Sequence, residues 1–349
     1  MPVNRILAAA ALLLFAASGA HAEVVRVVPQ HSGVDARLRG ISAADADTAW
    51  ASGRDGTVLR TRDGGRSWEK IEVPGAESLD FRDVEAFDGV TAVVLAIGPG
   101  EASRVYRTDD GGKSWQLALQ NHDPRGFFDC MAFDGPRGWL LGDPVDGRFQ
   151  VFASANGGRD WAPADGPRAE EGEAAFAASG TCIARAGTTL AVATGGATSR
   201  LHVRGDGDGR WISLDSGLEA GAESKGVFSL APLAHGFAAV GGDFQAEGAK
   251  ANAMRFSLAP AGEADADAGT APTHVAGSAL SQTPGYRSGI ACTGDATTCI
   301  AVGPSGIDAW HSVEWIPVSA TGYDAIDLAG NVGWASGDDG RIARIEIGD

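Results

Sequence analysis

Four basic residues stand just ahead of apolar stretches at matching places along the chain: Arg39, Arg82, Lys225 and Arg287. Guanidinium and ammonium groups gathered at one spot bind carboxylates, and Arg does so with a forked pair of donors. Aromatic and acidic neighbours occupy the same level, Phe128, Asp129, Tyr286 and Tyr323 among them, and rings beside Arg suit a peptide or a sugar. Two chemistries follow. One is recognition of an acidic peptide, a protein partner or an anionic glycan. The other is glycoside hydrolysis with a Tyr nucleophile tuned by a carboxylate. If the cations instead pair with Asp83, Asp129, Glu223 and Asp324, they merely satisfy the wall that carries them.

What could bring these residues together is a repeat. Thr61-Arg62-Asp63-Gly64-Gly65-Arg66-Ser67-Trp68 returns as Thr108 to Trp115 and as Ser154 to Trp161, with Asp110 and then Asn156 in the place of Asp63. Trp68, Trp115 and Trp161 lie 47 and 46 residues apart, the length of a four-stranded propeller blade. Each copy reads as a hairpin turn in which the carboxylate accepts backbone N–H bonds, the Gly pair supplies positive φ and the Trp packs on the blade. Asp63, Trp68, Asp110, Trp115, Asn156 and Trp161 are therefore expected to be structural. An apolar strand ending in Gly recurs seven times, from Trp50-Ala51-Ser52-Gly53 to Trp334-Ala335-Ser336-Gly337. An all-β, seven-bladed β-propeller is expected. Its last blade has residues for three strands, and Val24 to Val28 is expected to supply the fourth and close the ring, removing an exposed edge.

Residues 1–22 read as a signal peptide, with Arg5 ahead of an apolar run and an Ala20-His21-Ala22 cleavage site. The chain is expected to be exported, to a periplasm or outside the cell. Residues 23–349 then form a single propeller domain, with Ala259 to Pro284 as a low-complexity insertion or frayed outer strand of blade five. A net charge of −17 disfavours nucleic acid as a partner, and no later segment predicts membrane insertion. No Cys or His pattern predicts a metal, and no cofactor is expected. A monomer is expected. Of the four Cys, Cys292 and Cys299 flank a turn and are expected to pair. Cys130 and Cys182 hold equivalent places in their repeats and could bridge inner strands, although the sequence reading prefers buried thiols.

The turns resemble the Asp-box of the sialidase-like BNR-repeat propellers. With seven such blades, the segments Asp80-Phe81-Arg82-Asp83-Val84 and Gly285-Tyr286-Arg287-Ser288-Gly289 and an export signal, the chain resembles the photosystem II stability/assembly factor family. That resemblance implies a non-enzymatic propeller that binds a reaction-centre subunit through an Arg patch, for which Arg39, Arg82 and Arg287 are the candidates. The rival sialidase-like hydrolase would need its Arg-Ile-Pro motif, but Arg39 is followed by Gly40-Ile41-Ser42.

Overall fold

The computed structural model describes residues 24–206, 209–259, 274–311 and 313–348. The signal-peptide reading falls on 1–22, outside them. Alternation of apolar residues over short runs between turns produces strands throughout; among the described residues the helical structure is a single 3-10 turn, Gly100–Ala102. The strands form seven antiparallel sheets, one per blade, with inner strands Leu38–Ala43, Asp80–Ala86, Phe128–Asp134, Ile183–Ala186, Ala222–Leu233, Gly289–Cys292 and Ala325–Ala329. Six sheets have four strands. The fifth reaches six because the short pair Glu173–Ala174 and Gly195–Gly196 adds to its inner edge.

Each blade is covered on both faces by its neighbours, so strand residues on both sides are buried. The core accordingly lies between blades. Trp50 and Val58 of blade one pack with Phe81, Val84 and Val94 of blade two, all 3% exposed or less. The ring closes through Val24–Gln30, which pairs antiparallel with Ile342–Gly348 from Val24 opposite Gly348 to Gln30 opposite Ile342. Gln30 then locks the seam: its Nε2 donates to the Gly64 carbonyl at 2.8 Å, and its Oε1 accepts from the indoles of Trp68 and Trp334.

The repeated turns are satisfied internally. In the first, Thr61 Oγ1 accepts the Gly65 N–H at 2.9 Å and donates to Asp63 Oδ1 at 2.9 Å, and Asp63 accepts both the N–H and the hydroxyl of Ser67. Thr108, Asp110 and Ser114 repeat this, and Ser154 with Asn156 keeps most of it. Gly65 has φ of +80°, a backbone conformation that favours glycine, and a Cβ there would press on the Gln30 amide that locks the seam.

One feature departs from the expectations. Cys130, on the inner strand of blade three, is disulfide-bonded to Cys182, which directly precedes the inner strand of blade four, Cα atoms 5.9 Å apart, and neither is a free thiol. Equivalent places in adjacent blades bring the two Cβ atoms within bridging range. Cys292 and Cys299, paired across a hairpin, form the second bridge. In the 259–284 stretch, His274–Ala279 is an ordered outermost strand of blade five, paired with Ala253–Ala259; residues 260–273 lie outside the described ones.

Candidate functional site at the channel mouth

The inner strands of blades one, two, three and five each contain a one-residue bulge, between Leu38 and Gly40, Phe81 and Asp83, Phe128 and Cys130, and Val227 and Ser229. The extra residue is released from the ladder and re-aimed. Those residues are Arg39, Arg82, Asp129 and Phe228, and all four line one cavity of about 440 Å³. The bulge, repeated in four blades, is the device that builds the site.

Around the cations the geometry is specific. Arg39 Nε donates to the Ala178 carbonyl at 3.1 Å, and Arg82 donates to Asp80 at 3.0 Å and to the Ala177 carbonyl at 2.7 Å. Both thus lean on the loop that leads into blade four. Burial, and then the nearby Arg82, push the Arg39 guanidinium down to about 10, because a charge removed from water beside a like charge is disfavoured. Arg39 closes no ion pair with a carboxylate among the described residues. Arg37, in contrast, forms a bidentate pair with Asp324 at 2.8 Å for both bonds, which holds it above its ordinary value.

An aromatic wall faces the cations. Phe176 stacks on Phe228 at 3.9 Å, and Phe228 meets Tyr286 edge to face at 4.8 Å. Asp129 is 1% exposed, and its Oδ2 has no hydrogen-bond partner. Burial holds its carboxyl well above the usual range, and Asp143 adds to the effect. The site therefore combines two desolvated cations, a carboxyl inclined to keep its proton, and rings that offer flat apolar surface. It can receive an anion flanked by apolar groups.

The other expected site residues lie elsewhere. Arg287 is 2% exposed and pairs with Asp308 of its own blade, its Nε 2.6 Å from Oδ2, with Ser305 at 2.9 Å. Blade six has no inner-strand bulge to turn it towards the channel. Lys225 sits opposite Asp243, three residues ahead of the bulge position, which is Phe228. Phe128 is fully buried against Phe152, and Phe127 lines the cavity in its place. Tyr323 is core between blades six and seven, beneath Arg341. Only Arg39, Arg82, Asp129 and Tyr286 of the expected set come together; Arg37, Phe176, Phe228, Phe244 and Glu247 join them. Arg37 was findable as a cation two residues before a bulge, whereas Phe244 and Glu247 follow the second strand of blade five and carry no pattern.

Nothing at the mouth is arranged for a Tyr nucleophile. Burial raises the hydroxyls of Tyr286 and Tyr323, the opposite of the activation such a group needs, and Tyr106 lies in the core between blades one and two. Among the described residues no group of three or more His, Cys, Asp or Glu could hold a metal ion.

The comparisons agree with this architecture. The family described as photosynthesis system II assembly factor YCF48 matches residues 6–122. No curated protein matches the sequence significantly. The structure of YCF48 bound to a D1 peptide superposes with a TM-score of 0.60 at 12% identity, covering 95% of this chain and 96% of that one. YCF48 from Cyanidioschyzon merolae gives 0.63 at 17% identity over 92% and 98%. The WD40 β-propeller domain of Doa1 gives 0.57 at 12% over 93% and 97%, so the architecture is shared beyond one family. By fold over nearly its whole length the chain is a seven-bladed propeller, and over residues 6–122 its sequence is similar to the photosystem II assembly factor family.

Proposed function

We propose that this chain is an exported, non-enzymatic propeller that binds a protein or peptide partner at the channel mouth, seating an anionic group of the partner between Arg39 and Arg82. The observation that carries the reading is the convergence of four bulged residues on one cavity, two of them arginines left without a carboxylate partner of their own in the case of Arg39 and shared with Asp80 in the case of Arg82. Bulges re-aim side chains and are over-represented next to active sites. A related propeller, YCF48, has been solved with a D1 peptide bound, which supports a peptide as the class of ligand. Two disulfides support export to an oxidising compartment. Against the acidic surface elsewhere, Arg39 and Arg82 would supply the local attraction for an acidic group of the partner.

The test is fluorescence anisotropy with a library of labelled acidic hexapeptides, and with the same peptides in which Asp and Glu are replaced by Asn and Gln. Acidic members should bind, weaken as salt rises, and lose more than tenfold in the Arg39→Ala/Arg82→Ala variant, equivalent to about 1.4 kcal/mol. Equal binding of acidic and neutral libraries would sink the proposal, as would turnover of an aryl sialoside by the pure protein.

A further inference from the structure

Three seams between blades are closed by one recurring contact, far from the channel mouth. An arginine in the third strand lies over an aromatic ring: Arg344 over Trp334 at 5.1 Å, Arg60 over Trp50 at 5.1 Å, and Arg107 over Phe87 at 5.3 Å. Each also donates to the carbonyl of the first glycine in the next blade's turn: Arg344 to Gly64 at 3.3 Å, Arg60 to Gly111 at 3.1 Å, and Arg107 to Gly157. Ring, guanidinium and carbonyl oxygen form a bolt.

Strand register puts Arg255 of blade five in the same place. It lies opposite Ala238, as Arg60 lies opposite Trp50 and Arg344 opposite Trp334. Two parts of the bolt are missing there. Ala238 supplies no ring. Blade six supplies no glycine carbonyl, because its third and fourth strands, Gly306–His311 and Glu314–Ser319, follow each other too closely for a glycine-pair turn. What remains at the seam is a cavity of about 180 Å³ between Leu233, Ala238, Leu280, Ile290, Trp310 and Trp315, with Arg255 also lining it. Arg255 is exposed, and its side chain has no partner among the described residues. Trp315 is 7% exposed, and its indole N–H has no acceptor.

We propose that this seam is a binding site for a small aromatic carboxylate. The ring fills the space that the indoles of Trp50 and Trp334 fill at the other seams, against the edge-to-face pair of Trp310 and Trp315 at 5.4 Å. The carboxylate takes the place of the glycine carbonyl and accepts from Arg255, a cation standing at the rim of an apolar cavity. The volume selects a single ring, since a dry cavity of about 150 Å³ already binds benzene. The Trp315 N–H offers a second donor inside the seam.

Saturation-transfer NMR and calorimetry with phenylacetate, benzyl alcohol and acetate test this on residues 23–349. Phenylacetate should bind, benzyl alcohol at least fivefold more weakly, and acetate not at all. Arg255→Ala, an exposed change that leaves the core alone, should bring phenylacetate down to the level of benzyl alcohol. Ala238→Trp, with folding checked by circular dichroism, should abolish binding by supplying the missing ring from within. No binding of phenylacetate overturns the proposal. So does binding that falls in Arg39→Ala/Arg82→Ala but is unchanged in Arg255→Ala, because the ligand would then sit at the channel mouth.

Discussion

The turns on the blade periphery and the residues at the channel mouth treat charge in opposite ways. In the turns, Asp63 and Asp110 lie half-buried at the surface, and each carboxylate is held down to about 2, first by the serine hydroxyl and then by the serine N–H that it accepts. At the mouth, burial pushes Asp129 and Asp143 up and Arg39 down to about 10. A device that serves folding satisfies its own polar groups locally, and so it can be copied from blade to blade. A device that serves recognition keeps groups desolvated and incompletely paired, and the surrounding sheets must offset that cost. The difference separates motif from site without appeal to function.

The largest expected effect breaks the scaffold common to both regions. Removing residues 23–30 strips blade seven of Val24–Gln30 and leaves the Trp68 and Trp334 indoles without Gln30. Cooperative unfolding should disappear in calorimetry, and both the turns and the mouth should lose their structure. A truncated chain that still melts cooperatively near the parent temperature would show that closure is not needed. Smaller is the effect of Cys130→Ser/Cys182→Ser, which opens a link spanning 52 residues and should cost about 2–4 kcal/mol in chemical denaturation. It should also weaken anion binding at the mouth, because Cys130 follows Asp129 and Cys182 ends the loop whose Ala177 and Ala178 carbonyls hold the two arginines.

How much of this was legible in the sequence follows the same division. Asp63, Asp110 and their Trp partners were visible because the turn is closed within eight residues, and local geometry repeats when local chemistry does. The closing strand was visible because Val24 to Val28 had no sequence neighbour to pair with. The mouth was only half visible. Arg39 and Arg82 were found, but Lys225 and Arg287 were aligned with them by sequence although a bulge, not a spacing, decides which residue faces the channel. Phe228 occupies the slot that sequence alignment gave to Lys225, and Asp308, across the blade from Arg287, has no signature in the chain near it. The bridge between Cys130 and Cys182 depends on two positions 52 residues apart, which a pattern within either repeat does not reveal.

Thr61→Val sharpens the comparison from the periphery. The variant loses the hydroxyl that accepts the Gly65 N–H at 2.9 Å in a buried seam, and leaving that donor unpaired should cost about 1–3 kcal/mol. Affinity for acidic peptides at the mouth should be unchanged in anisotropy. Reduced affinity with unaltered stability would invert the assignment of the two regions.

The last expected effect is a pH dependence set by the inner wall of the channel. Asp83, on the inner strand of blade two, is buried, and burial pushes its carboxyl up to about 8 although it accepts the Met131 N–H at 2.7 Å. Asp327 of blade seven is pushed up to about 6 by burial, and Glu85 stands well above its ordinary range for the same reason, with Asp327 and Asp83 adding to it. A carboxyl whose folded value lies above its unfolded value of roughly 4 binds more protons in the native state than in the unfolded chain. Stability must therefore fall as pH rises between about 4 and 8. The formal charge of −17 acts in the same direction, so the parent profile alone does not isolate Asp83. Asp83→Asn does: the amide oxygen can still accept from Met131, carries no charge at any pH, and removes one member of the coupled set. Urea denaturation at pH 5, 6, 7 and 8 should show a shallower decline for the variant than for the parent, with the two closest at pH 5 and furthest apart at pH 8. Parallel profiles would mean that Asp83 ionises in the channel at ordinary pH, and that the wall beneath the mouth is hydrated rather than dry.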